Sequence, residues 1–346
     1  MSSSDDPVAT LRDFARAKKT GTLSIRDGEK HAEVHLGAGS IDDAAYLAPA
    51  SHDGDAHAGH RPVATGEKAL FRALALAGAT WSFEPGAAVM RRIRTPTEQI
   101  LNAAPRVLAE LERLRGAFPD PHERPLLAVE TDPALPLAIS TSGRALLVHL
   151  RAPILLDALL DRVAASDLEI LGALLELKQT GRVRPLASPK EGVPLGTSEE
   201  LAILARSVKQ RKRPQVGAAV RVVFAGSPHH LAVIAHGASC LQGASPSPYG
   251  VPLIPMPHCT ARLPFHGGLS LEIALCPLVP AYSPLWPMAM KGAFAVVRID
   301  EAADYLVDQA CESSGLRPLD VRDLVTNCDP TRVADVAKLV IQALAR

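Results

Sequence analysis

Residues 219–226 read AVRVVFAG, an apolar run that predicts a strand from Ala219 to Ala225, closed by Gly226. A second apolar run, Ala293–Ile299, has the nearly continuous hydrophobicity of a strand that is buried on both faces. Other predicted elements nearby are strands at Leu269–Leu275 and Val321–Thr326 and helices at Asp304–Ser313 and Thr331–Ala345. Strands that alternate with helices predict a three-layer α/β domain with a mostly parallel sheet over residues 216–346.

Prolines are dense between Pro228 and Pro287. Because proline removes a backbone donor and breaks helix interiors, this region is predicted to consist of loops and edge strands rather than helix.

An α+β module is predicted for residues 1–93. Two strands, Thr22–Arg26 and His31–Leu36, are joined by the hairpin signal Asp27-Gly28. A helix at Val8–Lys19 precedes them, Ser40–Leu47 is a strand or short helix, and a helix at Gly66–Ala77 and a strand at Thr80–Glu84 complete the module.

Residues 94–186 are predicted to be mostly helical. Thr95, followed three residues later by Glu98, predicts a capping box, and so does Ser166 with Glu169. Helices at Ile154–Val163 and Ser166–Gln179, followed by Arg182-Val183-Arg184, predict a winged-helix-like tail. Residues 187–215 are a predicted linker that a helix at Glu199–Gln210 interrupts.

The composition favours a packed protein without an obvious electrostatic partner. Of the 346 residues, 47% are hydrophobic and 21% charged, and the formal net charge is zero. Since nucleic acids and anionic membranes attract basic surfaces, nucleic acid is not an expected partner. Aromatic residues make up 4%, which is few for a base-stacking surface.

The cysteines and the apolar runs favour a cytoplasmic protein. The five cysteines form no Cys-x-x-Cys, and an odd number is not a disulfide framework. Met1–Asp6 is polar and acidic and is not the start of a secretory signal. The longest uncharged apolar stretch, Ile273–Met290, contains four prolines (Pro277, Pro280, Pro284 and Pro287), so no membrane insertion is expected.

Residues 10–185 resemble the PATAN domain, a bacterial signalling module without assigned catalytic residues. The resemblance rests on the order of five motifs: Gly21-Thr22-Leu23, Gly37-x-Gly39 followed by Ile41–Tyr46, Gly66-Glu67-x-Ala69-Leu70, Gly78-x-x-Trp81-x-Phe83, and Leu174–Leu177 leading to Gly181-Arg182-Val183. It implies that the chain acts through protein–protein contacts, beside response-regulator or motility systems, and it supplies no catalytic residues. No cofactor is expected.

The C-terminal domain resembles a degenerate Ras-like small GTPase. Gly226 lies where a P-loop begins, but the positions of its last Gly, Lys and Ser/Thr are held by Leu231, Ala232 and Val233. Thr326-Asn327-Cys328-Asp329 is similar to the guanine-reading Asn-Lys-x-Asp motif, with Cys328 in place of the lysine. The resemblance implies a pseudo-GTPase with no GTP hydrolysis.

Three other groups of residues suggest specific binding or catalytic sites. One loop carries candidate ligands for a divalent metal, with a solvated loop insertion as the alternative: His52, Asp53, Asp55, His57 and His60. Cys259 beside His258 is a candidate nucleophile, against the simpler reading of a small buried side chain. The backbone amides of Gly226–His230 are a candidate anion site, although Pro228 lacks one donor.

The winged tail offers a DNA-binding alternative through Lys178, Arg182 and Arg184. Acidic residues on the same helix repel phosphate. The set Asp157, Asp161, Asp167 and Glu169 is predicted to form a solvated helix face. The basic run Lys209–Arg213 is interpreted as part of a soluble tether.

The expected function is a non-catalytic signalling or scaffolding protein. Tyr282, Trp286 and Met288, in a proline-rich segment, are candidate partner contacts, with a core position for Trp286 as the alternative. The partners that fit this reading are a response regulator, a small GTPase or a second copy in a homodimer. The alternatives are a nucleotide-binding or hydrolysing switch and a winged-helix DNA-binding regulator.

Overall fold

The structure is a computed structural model that describes residues 7–48, 61–76, 78–87, 91–118, 120–129, 140–212, 219–246, 256–300 and 304–346. The described residues form two units. Unit 1 takes those of Met1–Pro121, Thr131–Val148 and Leu156–Arg182, and unit 2 takes those of His122–Glu130, His149–Leu155 and Val183–Arg346.

Unit 1 is built on a five-stranded antiparallel sheet. Its strands are β1 (Gly21–Asp27), β2 (Lys30–Gly37), β3 (Ser40–Ala48), β4 (Arg61–Thr65) and β5 (Thr80–Pro85). Their order in space is β4-β3-β2-β1-β5. The β1–β2 hairpin turns at Gly28, whose φ of 58° suits a residue without a Cβ, as the Asp27-Gly28 pair predicts.

Helices supply the rest of unit 1. They are α1 (Pro7–Arg16), α2 (Gly66–Leu74), α3 (Thr97–Arg115), α4 (Thr141–His149), α5 (Leu156–Arg162) and α6 (Asp167–Gln179). Alternate residues of β1, Leu23 and Ile25, are buried in one core with Leu11 of α1, Leu70 of α2 and Leu101 of α3. One face of the sheet is therefore covered by helices.

Unit 2 contains a two-stranded and a six-stranded sheet. The strands are β6 (Leu126–Ala128), β7 (Val183–Pro185), β8 (Ala219–Gly226), β9 (Ser245–Pro246), β10 (His258–Phe265), β11 (Leu269–Pro277), β12 (Ala295–Arg298) and β13 (Pro318–Asp320). β6 pairs with β7, and the larger sheet has the order β13-β12-β8-β11-β10-β9. β13, β12, β8 and β11 run parallel, whereas β10 and β9 are antiparallel additions.

Helices cover both faces of the six-stranded sheet. They are α7 (Ser198–Lys212), α8 (Pro228–Ser239), α9 (Trp286–Met290), α10 (Asp304–Ser313), α11 (Val321–Leu324) and α12 (Val333–Ala345). Phe224 of β8 is buried in a core with side chains of α8 and α12. Its neighbour Val223 points to the opposite face and is buried with side chains of α9 and α10. The mixed α/β composition that the sequence predicts is present.

Three local expectations were wrong. Pro228 begins α8 in the region predicted to lack helix, because proline is compatible with the first turn of a helix. Residues 321–324 form α11 rather than a strand. Thr95 does not cap α3, since its hydroxyl donates instead to Glu67 Oε1 at 2.5 Å.

The segment assigned to a linker contains regular structure. Its predicted helix is α7, and Leu204, Ala205 and Val208 of α7 are buried in the core of unit 2. A 3-10 helix, Pro189–Glu191, precedes it.

Among the described ranges, no helix combines the length and the apolar character that crossing a bilayer requires.

Candidate functional site

The topology of unit 2 singles out the carboxyl end of β8. The chain leaves β8 for β10 and β11 on one side, then returns to β12 on the other side of β8. In open α/β sheets, ligands bind in the crevice that this reversal creates at the carboxyl ends of the strands. The residues that follow β8 and β12 therefore define the candidate site.

Three polar side chains meet at this point. Gly226 ends β8 and Pro228 begins α8, so Ser227 alone joins the two elements. The Ser227 amide donates to Asp300 Oδ2 at 2.9 Å, and the Ser227 hydroxyl donates to the same oxygen at 2.5 Å. His230 Nδ1 lies 2.7 Å from this oxygen. Asp300, two residues after β12, is thus tied to the start of α8.

The electrostatics of the helix explain this arrangement. The first turn of a helix exposes backbone N–H groups and carries a partial positive charge, which favours an anion there. The Asp300 carboxylate supplies that anion, and its side chain is only 17% exposed. A Cβ at position 226 would lie 3.2 Å from Asp300 Oδ2, so glycine allows the close approach.

The three side chains are not arranged as a hydrolytic triad. In a triad, the histidine uses one ring nitrogen for the serine and the other for the aspartate. Here His230 Nδ1 faces both partners, at 3.0 Å from Ser227 Oγ and 2.7 Å from Asp300 Oδ2. Ser227 also donates directly to Asp300, so the histidine does not lie between them.

The residues interpreted as a degenerate loop lie inside a helix. Leu231, Ala232 and Val233 belong to α8 and are 1%, 5% and 6% exposed. Val233 is buried with Leu127 and Leu186 of the same unit. Because the strand-to-helix connection is a single residue, there is no loop at this position to wrap a phosphate.

Asp329 belongs to the segment that is similar to the guanine-reading motif. Its carboxylate has partners within unit 2. Arg184 donates to its carboxylate at 3.1 Å, and the Thr331 hydroxyl donates at 2.5 Å. Burial tends to raise the pKa of Asp329, but the hydrogen bonds from Thr331 and the charge of Arg184 outweigh it and hold the pKa below its ordinary value. The carboxylate is already engaged by its own chain.

The three candidate partner contacts differ in accessibility. Met288 is 72% exposed, whereas Trp286 is 1% exposed and belongs to the core beneath α9 and α10. Tyr282 is half-buried in the 3-10 helix Pro280–Leu285. The neighbouring α10 adds Tyr305, which is 76% exposed and which the sequence analysis missed. Of these aromatic and apolar side chains, Met288 and Tyr305 are the ones available to a partner.

Burial raises the pKa of all five cysteines, including Cys240, whose Sγ lies 3.6 Å from His236 Nε2. A reactive thiol needs a lowered pKa instead. Burial raises the pKa of Cys276 to about 12 and the pKa of Cys311 to about 11. Burial also raises the pKa of Cys259. His258 Nδ1 lies 2.9 Å from the Met256 carbonyl oxygen rather than facing a thiol. Since the thiolate is the nucleophile, these environments favour the simple structural reading of the cysteines.

The metal hypothesis falls on residues that are not described. His52, Asp53, Asp55, His57 and His60 lie outside the described ranges. Within those ranges, the structure contains no group of three or more His, Cys, Asp or Glu side chains placed to hold a metal ion.

Lys178 and Arg184, which were proposed for DNA binding, are both engaged by other groups of the protein. Lys178 donates to the Ala117 carbonyl at 2.5 Å and lies 5.3 Å from the centre of the Phe118 ring. Arg184 is paired with Asp329 at 3.1 Å. Phosphate contacts need free cations, so this geometry does not favour a DNA-binding face.

The predicted solvated carboxylate face is wrong at Asp167, which is 5% exposed. Arg72 donates to both of its oxygens, at 2.7 and 2.9 Å, and also donates to Asp161 at 2.5 Å. Lys68 Nζ lies 3.4 Å from Asp167 Oδ1. The helical spacing of these charges predicted exposure, which holds for Asp161 and Glu169. Nothing in the local pattern identifies the distant helix that buries Asp167.

No family model, curated protein or solved structure matches the chain.

Proposed function

We propose that the protein is a non-catalytic signalling or scaffolding protein that works by contacting other proteins. Unit 2 would serve as a GTPase-like fold without a nucleotide site. The observation that carries the proposal is the junction at Ser227, where a single residue joins β8 to α8 and the helix start is filled by Asp300. A phosphate cradle needs a loop of free backbone amides at this place.

The architecture of unit 2 supports the GTPase-like part of the proposal. β8 is an inner strand with parallel neighbours on both sides and helices on both faces. The loss of the phosphate loop and the engagement of Asp329 by Arg184 remove the two places where such a fold holds a nucleotide.

Two exposed apolar side chains support the proposal that the protein binds another protein. Met288 on α9 and Tyr305 on α10 are the two most exposed large apolar side chains among the described residues. The two helices pack together, with the Ser314 hydroxyl 3.5 Å from the Pro287 carbonyl and Cys311 Sγ 3.4 Å from Met290 Sδ. Large amphipathic side chains on a rigid support are typical of contact surfaces. A response regulator, a small GTPase and a second copy of the chain are the partners to test.

We place the protein in the cytoplasm. All five cysteines are free in the structure, and free buried thiols are typical of a reducing compartment.

The first experiment is a titration of the full chain with labelled GTP and ATP in the presence of magnesium, followed by fluorescence anisotropy. We expect no saturable binding up to millimolar nucleotide. Saturable, magnesium-dependent binding would overturn the proposal and favour a nucleotide-dependent switch.

A second experiment tests the contact surface. Tagged wild type, Met288→Asp and Ile203→Asp are compared in capture of partners from cells, because Ile203 is also exposed, at 52%, but lies on α7. We expect Met288→Asp to lose partners that Ile203→Asp retains. Equal capture by all three proteins would contradict a role for α9.

A further inference from the structure

The sheet of unit 1 ends in two edge strands, β4 and β5, which differ in how they are protected. Natural proteins blunt an open edge with proline, a β-bulge or charge, because its unpaired backbone groups bind other strands. β4 carries Pro62, and its register with β3 shifts between Tyr46 and Leu47. β5 pairs with β1 without a shift and has a proline only at its end, Pro85. β5 is therefore the edge that is open to another strand.

The outer edge of β5 presents the backbone groups of Trp81 and Phe83. Residues of antiparallel strands alternate between hydrogen-bonded and non-hydrogen-bonded pairs. The Gly86 amide donates to the Thr20 carbonyl at 3.3 Å, so Ser82 and the other even-numbered residues of β5 form the pairs that are hydrogen-bonded to β1. The N–H and C=O groups of Trp81 and Phe83 therefore point away from β1, and no hydrogen bond between described residues uses them.

The side chains of β5 hold the strand in place without covering its outer edge. Trp81 and Phe83 are partly buried against the core of unit 1, and Phe83 contacts Phe14 with ring centres 4.9 Å apart. Three exposed side chains alternate with them on the other face of the sheet: Thr80, Ser82 and Glu84.

We propose that the chain forms a homodimer in which β5 pairs in antiparallel orientation with β5 of a second copy. The two-fold axis passes through Ser82, so Trp81 of one copy lies opposite Phe83 of the other. In this register, the outward N–H and C=O groups of these two residues bond to each other across the axis. This surface differs from α9 and α10, so the dimer goes beyond the proposed function and does not depend on whether unit 2 binds a nucleotide.

The side chains fit this register on both faces of the sheet. On the core face, Trp81 lies opposite Phe83 of the second copy, and aromatic cross-strand pairs stabilise a sheet. On the other face, Thr80 lies between Arg26 of its own copy and Glu84 of the second copy. Arg26 and Glu84 are exposed, and within the described part of the chain neither has an ion-pair partner. The dimer therefore places opposite charges in one row across the interface.

The arrangement closes at two copies. A two-fold interface uses the same strand of both partners, so pairing covers both β5 edges. The edges that remain are the two β4 strands, where Pro62 and the bulge disfavour further pairing. A second copy is thus favoured over an open-ended stack of chains.

The first test is disulfide cross-linking of the full chain at the proposed axis. In Ser82→Cys, the two introduced thiols belong to a non-hydrogen-bonded pair with Cα atoms about 4.5 Å apart, which suits a disulfide. Thr80→Cys is the matched control on the same strand, because Thr80 lies opposite Glu84 and the two Thr80 positions are about 13 Å apart. Wild type reports the background from the five native cysteines. With diamide as the oxidant, we expect a covalent dimer of Ser82→Cys and none of Thr80→Cys beyond the wild-type background.

The second test is sedimentation equilibrium of wild type, Ser82→Lys and Gln99→Lys across the micromolar range. Ser82→Lys sets like charges opposite each other at the axis, whereas Gln99→Lys adds the same charge at an exposed position of α3. We expect wild type and Gln99→Lys to dimerise equally and Ser82→Lys to dimerise at least about tenfold more weakly. Circular dichroism checks that each variant folds, and if Ser82→Lys does not fold, the cross-linking decides.

Wild type that stays monomeric through high micromolar concentrations would overturn the inference. A dimer that Ser82→Lys retains, or equal cross-linking of Ser82→Cys and Thr80→Cys, would also overturn it, because dimerisation would then use another surface. None of these results bears on the nucleotide titration. Nucleotide binding by wild type would instead defeat the proposed function, so the two failures are distinguishable.

Discussion

Arg72 in α2 and Asp167 in α6 form a buried bidentate ion pair, with Nε 2.7 Å from Oδ2 and Nη2 2.9 Å from Oδ1. The two side chains are 8% and 6% exposed. Asp167 also lies in the first turn of α6, where the helix favours a negative charge. The pair joins a helix of the N-terminal sheet module to a helix nearly a hundred residues later, within unit 1.

Removal of the Arg72 side chain should lower the free energy of unfolding strongly. Arg72→Ala leaves Asp167 buried without its main partner, and breaking a buried ion pair in this way costs about 3–5 kcal/mol. The free energy of unfolding is measured by urea denaturation. Arg113→Ala is the control, because Arg113 is 61% exposed and its pair with Glu110 lies on the surface of α3. Equal stability of the two variants would show that the buried pair contributes nothing special.

Trp286 and Met288 should respond differently to truncation. Trp286 is 1% exposed, so Trp286→Ala should lower the free energy of unfolding by about 3–5 kcal/mol. Met288 is 72% exposed, and Met288→Ala should change it by less than about 0.5 kcal/mol. Guanidinium denaturation of both variants checks this. A stability loss at Met288 as large as that at Trp286 would contradict the assignment of Met288 to the surface.

Replacement of two helical glycines by alanine should change the free energy of unfolding in opposite directions. At Gly237 in α8, a Cβ would lie 2.7 Å from Val336 Cγ2 of α12, and overpacking of this kind costs about 1–3 kcal/mol. At Gly172 in α6, the added Cβ would meet nothing within 4 Å beyond its chain neighbours and the helix's own backbone, so alanine should stabilise by up to about 1 kcal/mol. Denaturation of both variants measures the difference. Destabilisation by Gly172→Ala would contradict the open space seen there.

The buried carboxylate of Glu272 should make stability depend on pH. Burial tends to raise its pKa, but the hydrogen bonds and charges of Arg262 and Arg221 outweigh this and hold the pKa below its ordinary value. A lowered folded-state pKa stabilises the protein above the unfolded pKa of about 4.3, and the contribution is lost as pH falls through the folded-state pKa.

Glu272→Gln removes that charge and should remove its pH dependence. We expect the stability difference between wild type and Glu272→Gln to be largest near neutral pH and to shrink as pH falls below about 4.3. Urea denaturation at several pH values from 7 to 3 measures it. Parallel curves for the two proteins over this range would be inconsistent with a lowered pKa at Glu272.

Local patterns predicted the elements that local interactions determine. The Asp27-Gly28 pair predicted the first hairpin, and Ser166 with Glu169 predicted the capping box that α6 shows. The apolar run from Ala219 predicted β8, which is buried on both faces because helices cover both sides of the sheet. In each of these places, the chemistry of a few consecutive residues is sufficient.

Features that depend on distant partners were missed. Proline density suggested loops after Pro228, but Pro228 occupies the first helical position, where its missing N–H costs little. Ser227 and Asp300 are 73 residues apart in the sequence, so no local pattern predicts their contact. Burial of Asp167 likewise depends on a helix far away in the sequence.

The single-residue junction at Ser227 also bears on timing. A nucleotide-driven switch ends its own signal, because hydrolysis and the reordering of a loop release the partner after a set interval. In the proposed function, the fixed strand-to-helix junction gives the protein no such internal limit on the lifetime of a complex. The lifetime of any complex formed by a protein of this kind would follow from the dissociation rate alone, and its occupancy from how much partner the cell supplies.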